Sequence, residues 1–307
     1  MTVDGLRLPL NATLRGGMYS SKEYWSEVAE SFADTDPHGL APVLHLGVPS
    51  WFNSSIDRIQ FRAWERALNA CGCGAGTLVL DVGCGTGRWL RRYLRRGLRP
   101  VGLDFTQGML RRIAADGLPC PILSASAQSL PFPADTFDLV SSVTVIQHIP
   151  PPGQDQALAE LVRVLRPGGH LLLFELIRGQ APHIFPHTPQ FWVKKLVSSG
   201  LSLVCWRGQE YLLLDRAFTR CVNSARTLAG HSVKDALPPT SAAADKNDRP
   251  VPLAKRMFWS ARRLEFTLSM WLEPLAEIAC QQTWATHGIF VFKKEQERAK
   301  LVRKDLD

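Results

Sequence analysis

The chain lacks the long hydrophobic runs and the cysteine pairs that mark several large classes of protein. No apolar run approaches the ~18 residues that a membrane-spanning helix requires, so no transmembrane segment is expected. Residues 1–17 have no apolar core like that of a secretion signal, and we therefore expect a cytoplasmic protein. The 7 cysteines are odd in number and include no Cys-x-x-Cys pair, which argues against a disulfide framework and a zinc site.

Candidate metal ligands are also sparse. His183 and His187 have a spacing that would place two ligands on one face of a helix. Pro182, Pro186 and Pro189 argue against a helix at this point, and no third ligand is evident. We therefore expect no metal.

Basic residues outnumber acidic residues, 36 to 28, and the formal net charge is +8. This charge is compatible with an anionic partner such as RNA, a membrane surface or an acidic substrate. Much of it comes from one face of a predicted helix, which we interpret as solvated. Because no RNA-binding motif is appended, a nucleic-acid partner is not favoured. The arginines of this face are Arg88, Arg91, Arg92, Arg95, Arg96 and Arg99.

The chain is organised around residues 77–104. A buried apolar strand ends on Asp81, and the loop Gly83-Cys84-Gly85-Thr86-Gly87 follows. A helix and a second apolar strand, which ends on Asp104, complete the stretch. This order predicts a βαβ unit of a parallel sheet, whose ligand site lies at the carboxyl ends of the strands.

The spacing of the glycines excludes one class of ligand. The dinucleotide pattern G-x-G-x-x-G would need a third glycine where this chain has Arg88. Asp81 would repel a pyrophosphate, whereas it would suit a ligand with an amino group or a sulfonium. Asp104 lies at about the position, ~20 residues after the loop, where a ribose-binding acid is expected. Together these features point to S-adenosylmethionine (SAM).

Four motifs carry a resemblance to a known family. The runs DVGCGTGRW, GLD, LPFPADTFDLV and LRPGGHLLL resemble those of class I SAM-dependent methyltransferases, in particular the ubiquinone/menaquinone-biosynthesis-like (type 11) branch. The resemblance covers about residues 75–176. It implies SAM as cofactor, S-adenosylhomocysteine as product, and a Rossmann-like, seven-stranded, mostly parallel α/β sheet with helices on both faces.

The expected cofactor residues follow the chain. Asp81 and the glycine loop would hold the methionine part of SAM, and Asp104 would hold the ribose hydroxyls. The resemblance implies that Phe105 and Met109 flank the adenine. It also places Ser126 where the family commonly has an acid, so the adenine amino group would meet a hydroxyl without charge. The complete predicted set is Asp81, Gly83, Cys84, Gly85, Gly87, Asp104, Phe105, Met109, Ser126, Ala127, Gln128 and Thr144.

Two residues are candidates for catalysis. His148 follows a central strand, and imidazole titrates near neutrality, so it could be a general base or a structural hydrogen-bonding residue. Glu175 ends the next strand and could act on the substrate or anchor a loop. A helix is predicted over residues 21–33; Tyr24 and Trp25 lie in it, and Tyr19 lies just before it. All three could contact substrate or simply pack on the sheet.

We divide the chain into four parts. These are an N-terminal helical cap (1–74), a SAM-binding core (75–215), a helical insertion (216–283) with a mobile linker at 233–252, and a last strand with a charged tail (284–307). Residues 254–280 have apolar residues at spacings of three and four and predict a long amphipathic helix. It could cover the substrate pocket, form a homodimer, or pack on the flank of the domain.

These observations predict a methyltransferase that acts on an oxygen or nitrogen of a small molecule, such as a secondary metabolite or a sugar-like acceptor. The alternatives are an RNA methyltransferase, a lipid or quinone methyltransferase, and a SAM-binding accessory protein without catalysis. The sequence carries no motif that names the acceptor.

Overall fold

The structure is a computed structural model, and it describes residues 19–31, 40, 43–44, 48–179, 183–217, 221, 224 and 253–296. The predicted linker at 233–252 and most of the charged tail lie outside the described residues. The predicted division into cap, core and insertion stays a prediction.

A seven-stranded sheet forms the centre of the fold, as predicted. Its strands are β1 (Leu78–Val82), β2 (Arg99–Asp104), β3 (Ile122–Ser124), β4 (Phe137–Val143), β5 (Leu165–Leu176), β6 (Leu201–Gln209) and β7 (His287–Lys294). They lie in the order β3-β2-β1-β4-β5-β7-β6. Strand β7 runs antiparallel to β5 and β6, whereas the pairs among β1 to β5 are parallel. The sheet order therefore reverses next to β1, where ligands of such folds bind.

Helices cover the sheet. They are α1 (Ser21–Ser31), α2 (Ser50–Ala70), α3 (Arg88–Arg95), α4 (Gln107–Ala115), α5 (Pro151–Val164), α6 (Pro189–Ser198) and α7 (Leu253–Ala279). The sequence favours the start of α6 at this point, because the hydroxyl of Thr188 accepts a hydrogen bond from the backbone N–H of Phe191 and Pro189 occupies the first turn. No helix in the described part of the chain is both long and apolar enough to cross a bilayer.

Strand β5 begins earlier than the sequence indicates. The run Arg166-Pro167-Gly168-Gly169 predicts a turn before a strand, but these residues lie within β5. Leu165 pairs with Phe137, and the next register pair joins His170 to Leu139, so the extra residues form an irregularity in the ladder. Gly168 supplies the positive φ of 79° that this irregularity requires.

The arginine face of α3 packs against α2. The Asp57 carboxylate of α2 forms ion pairs with the guanidinium groups of Arg88, at 3.3 Å, and Arg92, at 2.6 Å. Glu65 of α2 pairs with Arg96 at 2.7 Å. The side chains of Arg88 and Arg92 retain only 8% and 13% of their exposure. The prediction of a solvated face is therefore wrong for these two arginines, because α2 brings acids onto them.

Candidate functional site

A cavity of about 720 Å³ opens at the carboxyl ends of β1, β2 and β4. Residues of α1 and the two residues before it close one side of the cavity. Thirteen of the predicted site residues contribute to its wall: Tyr19, Trp25, Gly83, Cys84, Gly85, Asp104, Phe105, Met109, Ser126, Ala127, Gln128, Thr144 and His148. The tertiary structure thus brings together residues that are dispersed over more than a hundred positions of the chain.

The glycine loop forms a tight turn whose backbone groups are already paired. The N–H groups of Gly83 and Cys84 donate to the carbonyl of Leu103, and that of Gly87 donates to Cys84. A Cβ on Gly83 would lie 2.3 Å from a Val145 methyl carbon, so a side chain has no room there. The glycines therefore provide positive φ and close packing. The N–H groups of Gly83, Cys84 and Gly87 already have protein acceptors.

Asp104 lies in the cavity wall and is tied to this loop. One carboxylate oxygen accepts a hydrogen bond from Gly85 N–H at 2.9 Å, and the other accepts from Thr106 N–H at 2.8 Å. Burial raises the pKa of Asp104, and the backbone donors oppose that shift. Each oxygen retains lone-pair capacity, so the carboxylate can also accept hydrogen bonds from hydroxyl groups of a ligand.

Asp81 is fully buried below the loop and is not part of the cavity wall described above. Its Oδ1 accepts a hydrogen bond from the Ser141 hydroxyl at 3.2 Å, while its Oδ2 has no hydrogen-bond partner among the described residues. Burial raises the pKa of this carboxyl to about 7. An unpaired buried oxygen is costly, so a cationic or N–H-bearing ligand that reached Oδ2 would be favoured. This fits a cofactor with an amino group or a sulfonium.

The side of the cavity expected to hold the adenine has apolar side chains and an uncharged loop. Phe105 and Met109 lie in its wall, together with Ser126, Ala127 and Gln128. The Ser126 hydroxyl accepts a hydrogen bond from the Gln128 N–H at 3.2 Å. This residue therefore stabilises its own loop, and it brings no charge to the position.

Thr144 follows β4 in a strained conformation. Its φ is 56°, which is uncommon for a threonine, and its N–H donates to the Phe174 carbonyl. Backbone strain of this kind is often found where a fold fixes a functional turn. A short 3₁₀ turn, Ile146–His148, follows Thr144 and Val145 and leads away from β4.

Both ring nitrogens of His148 have protein partners. Nδ1 lies 3.1 Å from the His183 carbonyl oxygen, which can only accept, so Nδ1 carries the proton. Nε2 then accepts from the side-chain amide of Gln147 at 3.3 Å. The orientation of that amide is fixed because its oxygen accepts from the Leu176 N–H. Burial and the neighbouring His183 lower the pKa of His148 to about 3, so the ring is neutral near pH 7. These contacts favour the structural alternative for His148.

Glu175 is wholly buried, and it is not among the described residues of the cavity wall. Its two oxygens accept three backbone hydrogen bonds, from Val145 and Ile146 at 3.1 and 3.0 Å and from Gln147 at 3.1 Å. Burial raises its pKa to about 7, and the three donors oppose this shift. The geometry favours the anchoring alternative, in which Glu175 holds the turn that carries His148.

The N-terminal aromatic residues divide between two environments. Tyr19 and Trp25 line the cavity, and the Trp25 ring meets His148 edge-on with centroids 4.9 Å apart. Tyr24 instead stacks on His183 at 4.5 Å, and burial raises its pKa. The hydroxyls of Tyr19 and Ser21 both donate to the His148 carbonyl, at 3.2 and 2.6 Å. Hydrogen bonds therefore hold helix α1 to the turn that follows β4.

Several residues of the cavity wall were not predicted from the sequence. Arg88 and Trp89 contribute from the start of α3, and Val43 contributes from the segment before α2. Burial lowers the pKa of Arg88 to about 10, and Asp57 counteracts this effect. Arg88 stands where the dinucleotide pattern would have glycine, and that departure was the available signal. Among the described residues no cluster suited to a metal ion is present.

Comparison with known proteins agrees with this geometry. A family described as "Methyltransferase domain" matches residues 79–169. A demethylmenaquinone methyltransferase of Thermobifida fusca is 32% identical over 195 residues, which cover 58% of this chain and 75% of that protein. A ubiquinone/menaquinone biosynthesis C-methyltransferase of Laribacter hongkongensis is 37% identical over 131 residues, which cover 39% and 52%.

The fold is also shared with solved structures. The crystal structure of the [4+2]-cyclase SpnF superposes with a TM-score of 0.52 at 18% identity and covers 88% of this chain and 96% of that one. At this identity the likeness concerns the fold alone.

Proposed function

The chain belongs to the class I SAM-dependent methyltransferases, of the ubiquinone/menaquinone-biosynthesis-like type, and on that premise we propose that it methylates a ring carbon of a reduced, quinone-type small molecule. The observation that carries the proposal is the aromatic wall of the cavity, formed by Tyr19, Trp25 and His148 beside the glycine loop. Flat ring faces suit a flat aromatic acceptor. The names of the relatives support the same chemistry.

The residues proposed to hold the cofactor come from the first half of the sheet. Asp104 would accept hydrogen bonds from hydroxyls of the ribose, and the free oxygen of Asp81 would face the positive end of the methionine part. Phe105 and Met109 would border the adenine, beside Ser126, Ala127 and Gln128. When bound, SAM supplies an electrophilic methyl group on a sulfonium centre.

The remaining residues position the acceptor and exclude water. Tyr19 and Trp25 cover one side of the cavity, and the bonds from Tyr19 and Ser21 to the His148 carbonyl hold this cover in place. Positioning and desolvation account for much of the catalysis in a displacement with a good leaving group. Because both ring nitrogens of His148 are engaged, we propose that His148 shapes the wall and that Glu175 positions it.

A second candidate is methyl transfer to an oxygen or nitrogen of a small molecule such as a secondary metabolite or a sugar-like acceptor. The polar groups of the cavity wall, including Ser21, Gln128 and Thr144, favour this candidate because they could bind a hydroxylated acceptor.

A matched pair of acceptors separates the two candidates. The enzyme is incubated with methyl-labelled SAM and either a reduced demethylmenaquinone analogue or the same hydroquinone with its ring carbon already methylated. Carbon methylation predicts label on the first compound only, located on the ring by mass spectrometry and NMR. Label on an oxygen of both compounds would favour the second candidate. Absence of S-adenosylhomocysteine with every acceptor would favour a SAM-binding accessory protein.

A further inference from the structure

Helix α7 presents polar residues to the protein interior. The Arg262 guanidinium pairs with Asp215 at 2.7 Å, and the Ser269 hydroxyl accepts from the Asp215 N–H at 3.0 Å. The Glu273 carboxylate accepts from the N–H groups of Tyr211 and Leu212, at 2.8 and 3.0 Å. All three side chains of α7 are buried. The helix is therefore attached to the domain through hydrogen bonds and an ion pair as well as through Phe266 and Ala276.

A row of apolar side chains on α7 points to the outside. Trp271 and Ile278 retain 79% and 84% of their exposure, although they are among the most hydrophobic residues of the chain. They belong to a row that we term the α7 seam, whose members are Met257, Ala261, Leu264, Leu268, Trp271, Leu275 and Ile278. None of these residues lines the described cavity. A soluble monomer rarely exposes a contiguous row of this length, so the seam indicates a binding surface.

The spacing of the seam identifies the shape of its partner. Successive members are separated alternately by four and three residues, which is the a/d repeat of a coiled coil, and the row extends over three heptads. At ~1.5 Å per residue its length is roughly 31 Å. A repeat of this period keeps one narrow stripe facing a second helix, whereas a helix that lies on a lipid surface needs a broad apolar face.

The charges around the seam argue for a protein partner of the same kind. Arg263 is the one charged side chain that is exposed on the described residues 257–279 of α7. The half-buried Glu265 and Glu277 are paired with Arg262 and Arg66. Residues 257–279 thus present one exposed arginine and no row of lysine and arginine like those with which amphipathic helices bind anionic membranes. A nearly uncharged stripe does not repel a copy of itself.

Two other segments of the chain do not provide a matching stripe. Residues 233–252 are rich in proline, alanine and aspartate, and residues 297–307 are mostly charged. Neither sequence contains an apolar heptad repeat. A second copy of the chain does provide one, and two identical seams form a self-complementary interface in a symmetric dimer.

We propose that two copies of the chain associate through the α7 seam, with α7 of one copy packed against α7 of the other as a short coiled coil. This inference goes beyond the proposed function and does not depend on it, because its test measures mass and not methyl transfer.

Sedimentation equilibrium of the full chain provides the test. Trp271→Glu and Ile278→Glu should each weaken the dimer at least ~100-fold, because association would bury an unpaired carboxylate. Both positions are exposed in the monomer, so unchanged circular dichroism is expected. Val197→Glu is the matched control, since Val197 is an exposed apolar residue of α6 with 47% exposure, and it should leave the mass distribution unchanged.

Three outcomes would overturn the proposal. The first is a wild-type chain that stays monomeric at its highest soluble concentration. The second is a dimer that both seam variants leave intact, which would locate the interface elsewhere. The third is a monomer that co-sediments with phosphatidylcholine vesicles and loses this binding in Trp271→Glu, which would make lipid the partner.

Discussion

The carboxylate of Asp104 accepts a hydrogen bond from the backbone N–H of Gly85 at 2.9 Å. This bond ties the acid at the end of β2 to the glycine loop at the end of β1. The loop geometry and the position of the acid are therefore coupled, and a change at Asp104 acts on both.

Replacing Asp104 should weaken cofactor binding while leaving the fold intact. Asp104→Asn keeps the shape of the side chain but loses its charge, so hydrogen bonds to ligand hydroxyls and to the loop both weaken. We expect an affinity for SAM lower by on the order of 100-fold, measured by isothermal titration calorimetry. Asp138→Asn is the control, because Asp138 bonds to Leu78 at the opposite end of the sheet. Equal affinities of the Asp104 variant and wild type would refute the assignment.

His148→Gln tests whether His148 is a base. Because both ring nitrogens are engaged and the pKa is lowered to about 3, we expect turnover to fall by less than ~10-fold. A general base would instead contribute ~10² to 10⁴-fold. The pH profile of kcat/KM should show no inflection from this group between pH 5 and 8. An inflection near pH 6 to 7 that disappears in the variant would contradict a structural role.

The same histidine should make the fold sensitive to acid. Its pKa is about 3 in the folded protein, against an ordinary value of 6.5, so the unfolded chain binds more protons between these two pH values. The contribution of neutral His148 to the free energy of unfolding is therefore complete above about pH 6.5 and decreases as pH falls. Denaturant titrations of wild type and His148→Gln at pH 7.5 and 5 should show that the advantage of wild type shrinks at pH 5. A constant difference would mean that His148 does not titrate abnormally.

Glu175→Gln should destabilise the turn that carries His148. The amide keeps one oxygen acceptor and places N–H donors against the backbone N–H groups that Glu175 now binds. We expect a loss of about 2–3 kcal/mol in the free energy of unfolding. Glu160→Gln is the comparison, because Glu160 accepts the Leu130 N–H near the surface and should cost less than about 1 kcal/mol. Full stability of Glu175→Gln with abolished turnover would indicate catalysis instead of anchoring.

Asp57→Ala should be strongly destabilising. Asp57 neutralises both Arg88 and Arg92, so its loss leaves two arginines in a partly desolvated interface without their acid. Breaking a buried ion pair by removing one partner costs about 3–5 kcal/mol, whereas an exposed pair contributes about 0–1 kcal/mol. Asp116→Ala, which removes the exposed partner of Arg91, is the matched comparison by urea denaturation. Similar costs for both variants would show that α2 and α3 do not depend on the Asp57 pairs.

Several features were predictable because they depend on local chemistry. The strands around the glycine loop and the cap at Thr188 follow from apolar runs, turn residues or short-range hydrogen bonds. The irregularity at Arg166–Gly169 could not be predicted in this way, because its proline and glycines are typical of a turn. Pairing with β4 makes these residues part of β5.

In the candidate site, too, some features could be predicted from the sequence and others could not. The order of the elements follows from the chain alone, as do the positions of Asp81 and Asp104 and the stripe of apolar residues on α7. Folding was needed to show which donors surround Glu175, that both nitrogens of His148 are engaged, that Asp57 covers Arg88, and that the α7 seam points outward. The physical reason is that the first group depends on neighbours along the chain. The second depends on hydrogen bonds and burial between residues that only folding brings together.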